Sequence, residues 1–207
     1  MRYGMVIDVK SCIGCFACAV CCKAHNNLPN EVWWNRIVCE NGNFHDVPSG
    51  SFETGDLKMS FTPVTCQHCD KPLCVAACPT GASFIDDETG IVGIDNEVCI
   101  GCGTCLSACP YDVRRLYKEE LEYYVDFPVG DADAPVHVPN TMSKCTFCAN
   151  RIARGEVPSC MDLCPARARY FGDLDDPTSD ASKYLEGREY FQLLTEAGSE
   201  PRTYYVT

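Results

Sequence analysis

The sequence predicts an α+β fold of short strands, hairpins and helices, arranged as duplicated units with loop insertions. Three observations predict it. Sixteen of the eighteen cysteines fall into four spaced motifs: Cys12, Cys15, Cys18 and Cys22; Cys66, Cys69, Cys74 and Cys78; Cys99, Cys102, Cys105 and Cys109; and Cys145, Cys148, Cys160 and Cys164. The run Met5-Val-Ile-Asp8 ahead of Cys12 recurs as Val92-Gly-Ile-Asp95 ahead of Cys99, and a glycine (Gly14, Gly101) stands just before the second cysteine of both motifs. Self-similarity of this kind marks duplication. The apolar runs beside the motifs are short and bounded by turn residues, as in strands and hairpins.

Spacing decides the chemistry. In Cys99-Ile-Gly-Cys102-Gly-Thr-Cys105-Leu-Ser-Ala-Cys109-Pro110 three cysteines fit a loop wrapped around one face of an iron–sulfur cube. The fourth, followed by proline, points away and reaches a second cube. Disulfide frameworks belong to smaller secreted chains, and Met1-Arg-Tyr-Gly-Met-Val-Ile-Asp8 has neither an apolar h-region nor a twin-arginine motif. Zinc sites favour paired C-x2-C units without a third and fourth cysteine in register. Sixteen cysteines fill four [4Fe–4S] clusters without remainder.

At 207 residues the chain has room for one or two domains. Its net charge of −12, made more negative by thiolate-ligated clusters, excludes nucleic acid as a partner. No run approaches the 18 or more apolar residues of a membrane span. No Ser/His/Asp constellation or phosphate loop accompanies the cysteines, so no catalytic residues are expected.

Taken in order, Met5–Asp8 is a short strand entering the first loop. Cys21 and Cys22 compete for the fourth position; the spacing from Cys105 to Cys109 selects Cys22 and leaves Cys21 a buried thiol. Val32–Cys39 reads as a strand and Asn41-Gly42 as a turn, with Trp33 and Trp34 covering a cluster or the core and Cys39 an inert core thiol. In the second motif four cysteines fill the site, so His68 is a hydrogen-bonding neighbour or exposed. Ala82–Ile94 is a hairpin leading to Cys99. Tyr111–Tyr117 is a strand on which Arg114 and Arg115 temper cluster charge, bind a partner or, the default reading, stand as solvated edge charges, and 118–142, with Pro128, Gly130, Pro135 and Pro139, is a surface loop. Eleven residues separate Cys148 from Cys160, filled by a helix-like stretch over 150–157. Cys164-Pro-Ala-Arg-Ala-Arg-Tyr-Phe171-Gly-Asp repeats the rhythm of Cys78-Pro-Thr-Gly-Ala-Ser-Phe84-Ile-Asp. The stripe Tyr184, Leu185, Phe191 and Leu194 predicts a helix over Ser182–Thr195, and Arg202–Val206 is a strand or docked tail.

Exchange of the fourth cysteines then pairs the motifs. Cluster one takes Cys12, Cys15, Cys18 and Cys164; cluster two takes Cys22, Cys145, Cys148 and Cys160. Cluster three takes Cys66, Cys69, Cys74 and Cys109; cluster four takes Cys78, Cys99, Cys102 and Cys105. The result is two ferredoxin-like units, 1–30 with 140–175 and 60–117 between them. Residues 31–59 and 118–139 are insertions, and 176–207 forms a C-terminal helix and docking tail. Cluster binding supplies folding energy, so neither end is expected to be stable without metal.

With the motifs placed, the chain resembles the four-cluster electron-transfer subunit of the dimethyl sulfoxide reductase and polysulfide reductase type of molybdopterin oxidoreductases. The resemblance covers about residues 1–175. It rests on the motifs with Met5–Asp8, Pro79-Thr-Gly-Ala82, Pro110-Tyr111, Ser143-Lys-Cys-Thr-Phe-Cys148 and Phe171-Gly-Asp173. It implies a non-catalytic subunit that passes electrons between a quinol-oxidising membrane anchor and a large subunit holding a molybdenum or tungsten bis-pterin cofactor. In the related nitrate reductase subunit a tryptophan replaces one cysteine; the motif here is intact at Cys102. A peripheral location follows, at a membrane through partners, in the cytoplasm or exported with a signal-bearing partner. Two alternatives stay open: the iron–sulfur subunit of a soluble molybdenum dehydroxylase or transhydroxylase, and a free-standing polyferredoxin carrier.

Overall fold

A computed structural model describes residues 1–39 and 50–207. The turn expected at Asn41-Gly42 lies outside the described residues. Strand β1 (Tyr3–Asp8) enters the first cysteine loop, which continues into helix α1 (Ala17–His25). Strands β2 (Arg36–Val38) and β3 (Thr62–Val64) pair antiparallel and lead to the second loop and the one-turn helix α2 (Leu73–Ala76). The hairpin of β4 (Ser83–Ile85) and β5 (Val92–Ile94) precedes the third loop and α3 (Thr104–Ser107). Next, β6 (Arg115–Leu116) pairs with β7 (Met142–Ser143), and the fourth motif carries α4 (Ala149–Ala153) and α5 (Ser159–Asp162). The chain ends in β8 (Arg169–Asp173), α6 (Asp180–Leu185), β9 (Tyr190–Phe191) and β10 (Thr203–Val206).

The two chain ends share one sheet, ordered β8-β1-β10-β9, with β1 antiparallel to β8 and parallel to β10. Alternation along β1 divides its side chains between two packing layers. Met5 and Ile7 face the large core that holds seven of the buried cysteines, while Val6 packs with Val206 and with Ala181 of α6.

The strands flanking the motifs share a register. Ile7 pairs with Arg169 as Ile94 pairs with Ser83. In both pairs the fifth residue before a motif's first cysteine faces the fifth residue after another motif's last cysteine. The repeated aspartates have a local cause. The Asp8 carboxylate accepts from the backbone N–H groups of Lys10 (2.9 Å) and Ser11 (3.0 Å), and that of Asp95 accepts from Glu97 (2.9 Å). These side-chain turns redirect the chain from strand into cysteine loop.

Several elements differ from the sequence expectation. The helix expected over Ser182–Thr195 stops at Leu185, because Gly187 turns left-handed (φ 69°), and β9 occupies part of the remainder. The helix-like stretch over 150–157 is α4, ending before Gly155 (φ 77°). The strand expected over Val32–Cys39 is confined to Arg36–Val38, and that over Tyr111–Tyr117 to Arg115–Leu116. Arg114 is not a solvated edge charge but a buried one. Segment 118–139 contains no helix or strand and is docked on the end of α1. There the His137 ring bonds Tyr117 Oη (2.6 Å) and the Asn26 carbonyl (2.7 Å). Trp34 is buried and donates to Ser143 Oγ, whereas Trp33 is exposed with the Lys23 ammonium over its ring. Cys21 and Cys39 are buried. Among the described residues no helix is long and apolar enough to cross a membrane.

Candidate metal centres

Each motif's last cysteine lies beside the cysteines of another motif. One hollow is lined by Cys12, Cys15, Cys18 and Cys164, with Ile7, Ile37 and Pro63 as apolar wall. A second is lined by Cys66, Cys69, Cys74 and Cys109, walled by Val92, Tyr111 and Val113. Cys22 lies in electrostatic range of Cys145, Cys148, Cys160 and Cys21, Cys21 itself in range of Cys160, Cys18 and Cys148, and Cys78 in range of Cys102.

The donor chemistry fits iron–sulfur clusters. Sulfur is the ligand type at every set, and two of the sets surround hollows with apolar walls. Among the described residues no three His, Cys, Asp or Glu side chains converge on the position of a single ion. Peptide N–H groups already address the sulfurs: Ala168 donates to Cys164 Sγ (3.3 Å), Ser83 to Cys78 (3.4 Å), Met142 to Cys99 (3.4 Å) and Phe147 to Cys145 (3.4 Å). Such bonds favour the thiolate form that ligates metal.

All four loops use left-handed backbone directly before the second cysteine, at Gly14 (φ 65°), His68 (43°), Gly101 (66°) and Phe147 (55°). Only the two glycines announce this in the sequence. His68 and Phe147 stack face to face with centroids 3.8 Å apart, which seats the Cys66–Cys69 loop on the Cys145–Cys148 loop. His68 is fully buried, not exposed, and its Nδ1 accepts from Val92 N–H (3.2 Å). Burial, with the Lys144 and Arg202 charges, holds its pKa well below the usual histidine value, so it is neutral.

Exposure grades along the sets. Cys22, Cys145, Cys148 and Cys160 are all buried, while Cys15 and Cys102 are the two exposed cysteines among the described residues. Burial pushes the Cys22 thiol well up, Cys69 up to about 12 and Cys160 to about 11. Cys78 goes the other way, to about 7, because hydrogen bonds from Ser83 and Thr80 outweigh its burial. Metal binding must displace the proton from each of these raised thiols, Cys22, Cys69 and Cys160.

Comparison with known proteins identifies the family. A family model described as a 4Fe-4S dicluster domain matches residues 57–123 and 134–174. A Halobacterium salinarum protein assigned as the iron–sulfur subunit of a dimethyl sulfoxide reductase is 44% identical over 99% of this chain and 79% of its own length. The chain belongs to the dimethyl sulfoxide reductase family of iron–sulfur subunits. Similarity to other members is also end to end. The arsenate respiratory reductase iron–sulfur subunit ArrB of Shewanella sp. strain ANA-3 is 35% identical over 100% of this chain and 96% of its own length. Protein NrfC of Escherichia coli K12 is 37% identical over 100% of this chain and 81% of its own length. As a member of this family, the chain is an electron-transfer subunit with four [4Fe–4S] clusters and a catalytic partner subunit.

Proposed function

We propose that the chain relays electrons through four clusters held by exchanged ligand sets: Cys12, Cys15, Cys18 and Cys164; Cys22, Cys145, Cys148 and Cys160; Cys66, Cys69, Cys74 and Cys109; and Cys78, Cys99, Cys102 and Cys105. The observation that carries this reading is the hollow lined jointly by Cys66, Cys69, Cys74 and Cys109. Residues 1–30 with 140–175 and residues 60–117 act as two duplicated units, a reading supported by the shared register of β1 with β8 and of β5 with β4. Residues 31–59 and 118–139 are insertions, and 176–207 docks the C-terminus.

When bound, each cluster supplies a one-electron couple whose potential depends on charge, hydrogen bonding and burial. The chain's residues hold the sulfurs, donate peptide N–H bonds to them and keep water from the inner sets. The exposed Cys15 and Cys102 mark the outer sets of the series, where partner proteins approach. The partners are a molybdenum or tungsten bis-pterin subunit, where the bond-making chemistry resides, and a quinol-oxidising membrane anchor that holds the chain peripherally.

The test is a Cys-to-Ser set in the anaerobically purified complex. Cys109→Ser and Cys74→Ser should abolish the same EPR signal and lower iron from about sixteen per chain by the same amount, about four. The double variant should lose no more than either single one. If Cys109→Ser instead removes the signal that Cys105→Ser removes, the exchanged sets are wrong.

A further inference from the structure

Two arginines occupy matching positions in the chain: Arg114 is the fifth residue after Cys109, and Arg169 is the fifth after Cys164. Both are buried, 1% and 3% exposed. Arg114 Nη1 donates to Ser83 Oγ (2.8 Å), while its Nε and Nη2 are buried without a hydrogen-bond partner. Arg169 donates to Cys160 Sγ (3.6 Å) and Asn35 Oδ1 (3.3 Å). Among the described residues neither guanidinium forms an ion pair with a carboxylate. Other buried cations have partners outside the cysteines: Arg202 faces Asp70 and donates to the His68 and Gly90 carbonyls, although its Nη1 too is buried without a partner, and Lys144 donates to the Val92 and Cys145 carbonyls.

Each arginine reaches both sets of its unit. Arg114 lines the hollow of Cys66, Cys69, Cys74 and Cys109 and donates to Ser83, whose peptide N–H donates to Cys78 of the other set. Arg169 lines the hollow of Cys12, Cys15, Cys18 and Cys164 and donates to Cys160 Sγ of the other set. An unpaired buried cation is strongly unfavourable, so these two require negative charge in the hollows they face. Ligated clusters supply it.

The geometry points to Arg114 and Arg169 as potential-setting residues, each raising the reduction potentials of both clusters in its own unit. Reduction adds one negative charge to a cluster, and a fixed cation between two clusters stabilises that charge in either one. The guanidinium exchanges no electron and no proton. It acts through position and charge, which makes it a positioning residue, and its effect is confined to the unit in which it is buried.

This inference rests on the ligand sets proposed above, and the experiment separates the two. Arg114→Met, Arg114→Lys, Arg169→Met and Arg169→Lys are made in the complex, purified anaerobically, assayed for iron and titrated by EPR-monitored potentiometry. Arg114→Met should lower two of the four midpoint potentials and Arg169→Met the other two. Each shift should correspond to about a tenfold change in the reduction equilibrium, about 59 mV for a one-electron couple. The Lys variants, which keep the charge, should lie close to the unsubstituted protein. Unmoved midpoints at full iron content overturn the proposal, as do Lys variants that shift as far as the Met variants. If a Met variant loses iron, the corresponding Gln variant is titrated instead. Loss of iron from the Met, Gln and Lys variants of one site assigns that arginine a structural role only and overturns the proposal there. Wrong ligand sets would show differently, with Arg114→Met moving a signal that Cys160→Ser abolishes.

Discussion

Directly before the second cysteine of each motif the backbone is left-handed, and the four residues placed there meet that demand unequally. Gly14 and Gly101 adopt it freely, whereas His68 and Phe147 each bear about 1–2 kcal/mol of strain. Their mutual stack and full burial offset it. A side chain at either glycine meets a different obstacle. A Cβ on Gly101 would overlap the Asn140 carbonyl oxygen, which is backbone, while one on Gly14 would overlap the Phe61 ring, which can rotate away. Gly101→Ala should therefore lose about four irons per chain, and Gly14→Ala should retain most of its cluster, as read by iron analysis of anaerobically purified protein. Equal retention in the two variants would contradict this account. The glycines were legible in the sequence because Gly is the residue that left-handed backbone selects. His68 was not, since its chemistry suggests a ligand or neighbour and conceals a backbone requirement. Arg114 was legible in part: tempering cluster charge was one reading open to it, and its burial excludes only the solvated edge charge.

At the level of elements, the C-terminal strand β10 is wedged between β1 and β9, and Tyr205 is its anchor. The Tyr205 ring is fully buried, stacks on Phe191 and donates its hydroxyl proton to the Pro63 carbonyl (3.0 Å). Tyr205→Phe should remove that bond and the one its hydroxyl accepts from Gln67 Nε2 (3.4 Å), a loss of about 1–2 kcal/mol. Tyr205→Ala should add a cavity and lose about 3–5 kcal/mol. Anaerobic unfolding of the cluster-loaded protein should rank the two in that order, and a Phe variant as unstable as the Ala variant would place the anchor elsewhere. Strands entering the motifs were legible because each is a short apolar run tied to an aspartate turn. The C-terminal helix was not: the stripe Tyr184, Leu185, Phe191 and Leu194 fits a helical period, yet Gly187 divides it and Phe191 serves β9 against Tyr205. Periodicity alone could not show that one stripe serves two elements.

Over the whole molecule the interior is built around the thiols themselves. Cys18, Cys21, Cys22, Cys66, Cys69, Cys145 and Cys160 share one core with Met5, Ile7, Trp34, Phe147 and Tyr205. Without clusters that core keeps hollows along its length and two buried guanidinium groups with no carboxylate partner, in a chain already at −12. Metal binding of this kind is folding free energy. The N- and C-terminal segments are coupled further, because β1 lies between β8 and β10 and Cys164 faces Cys12 across the same hollow. Iron removal by chelation under reducing conditions should therefore abolish the far-UV CD signature of the fold. It should also expose residues 1–30 and 140–175 to protease together. Cys164→Ser, which touches only the far end of the sequence, should raise hydrogen exchange in β1 as much as in β8. Protection of β1 that survives this substitution would mean that the first strand is held by the sheet alone, and that the cluster contributes nothing to closing the two ends of the chain.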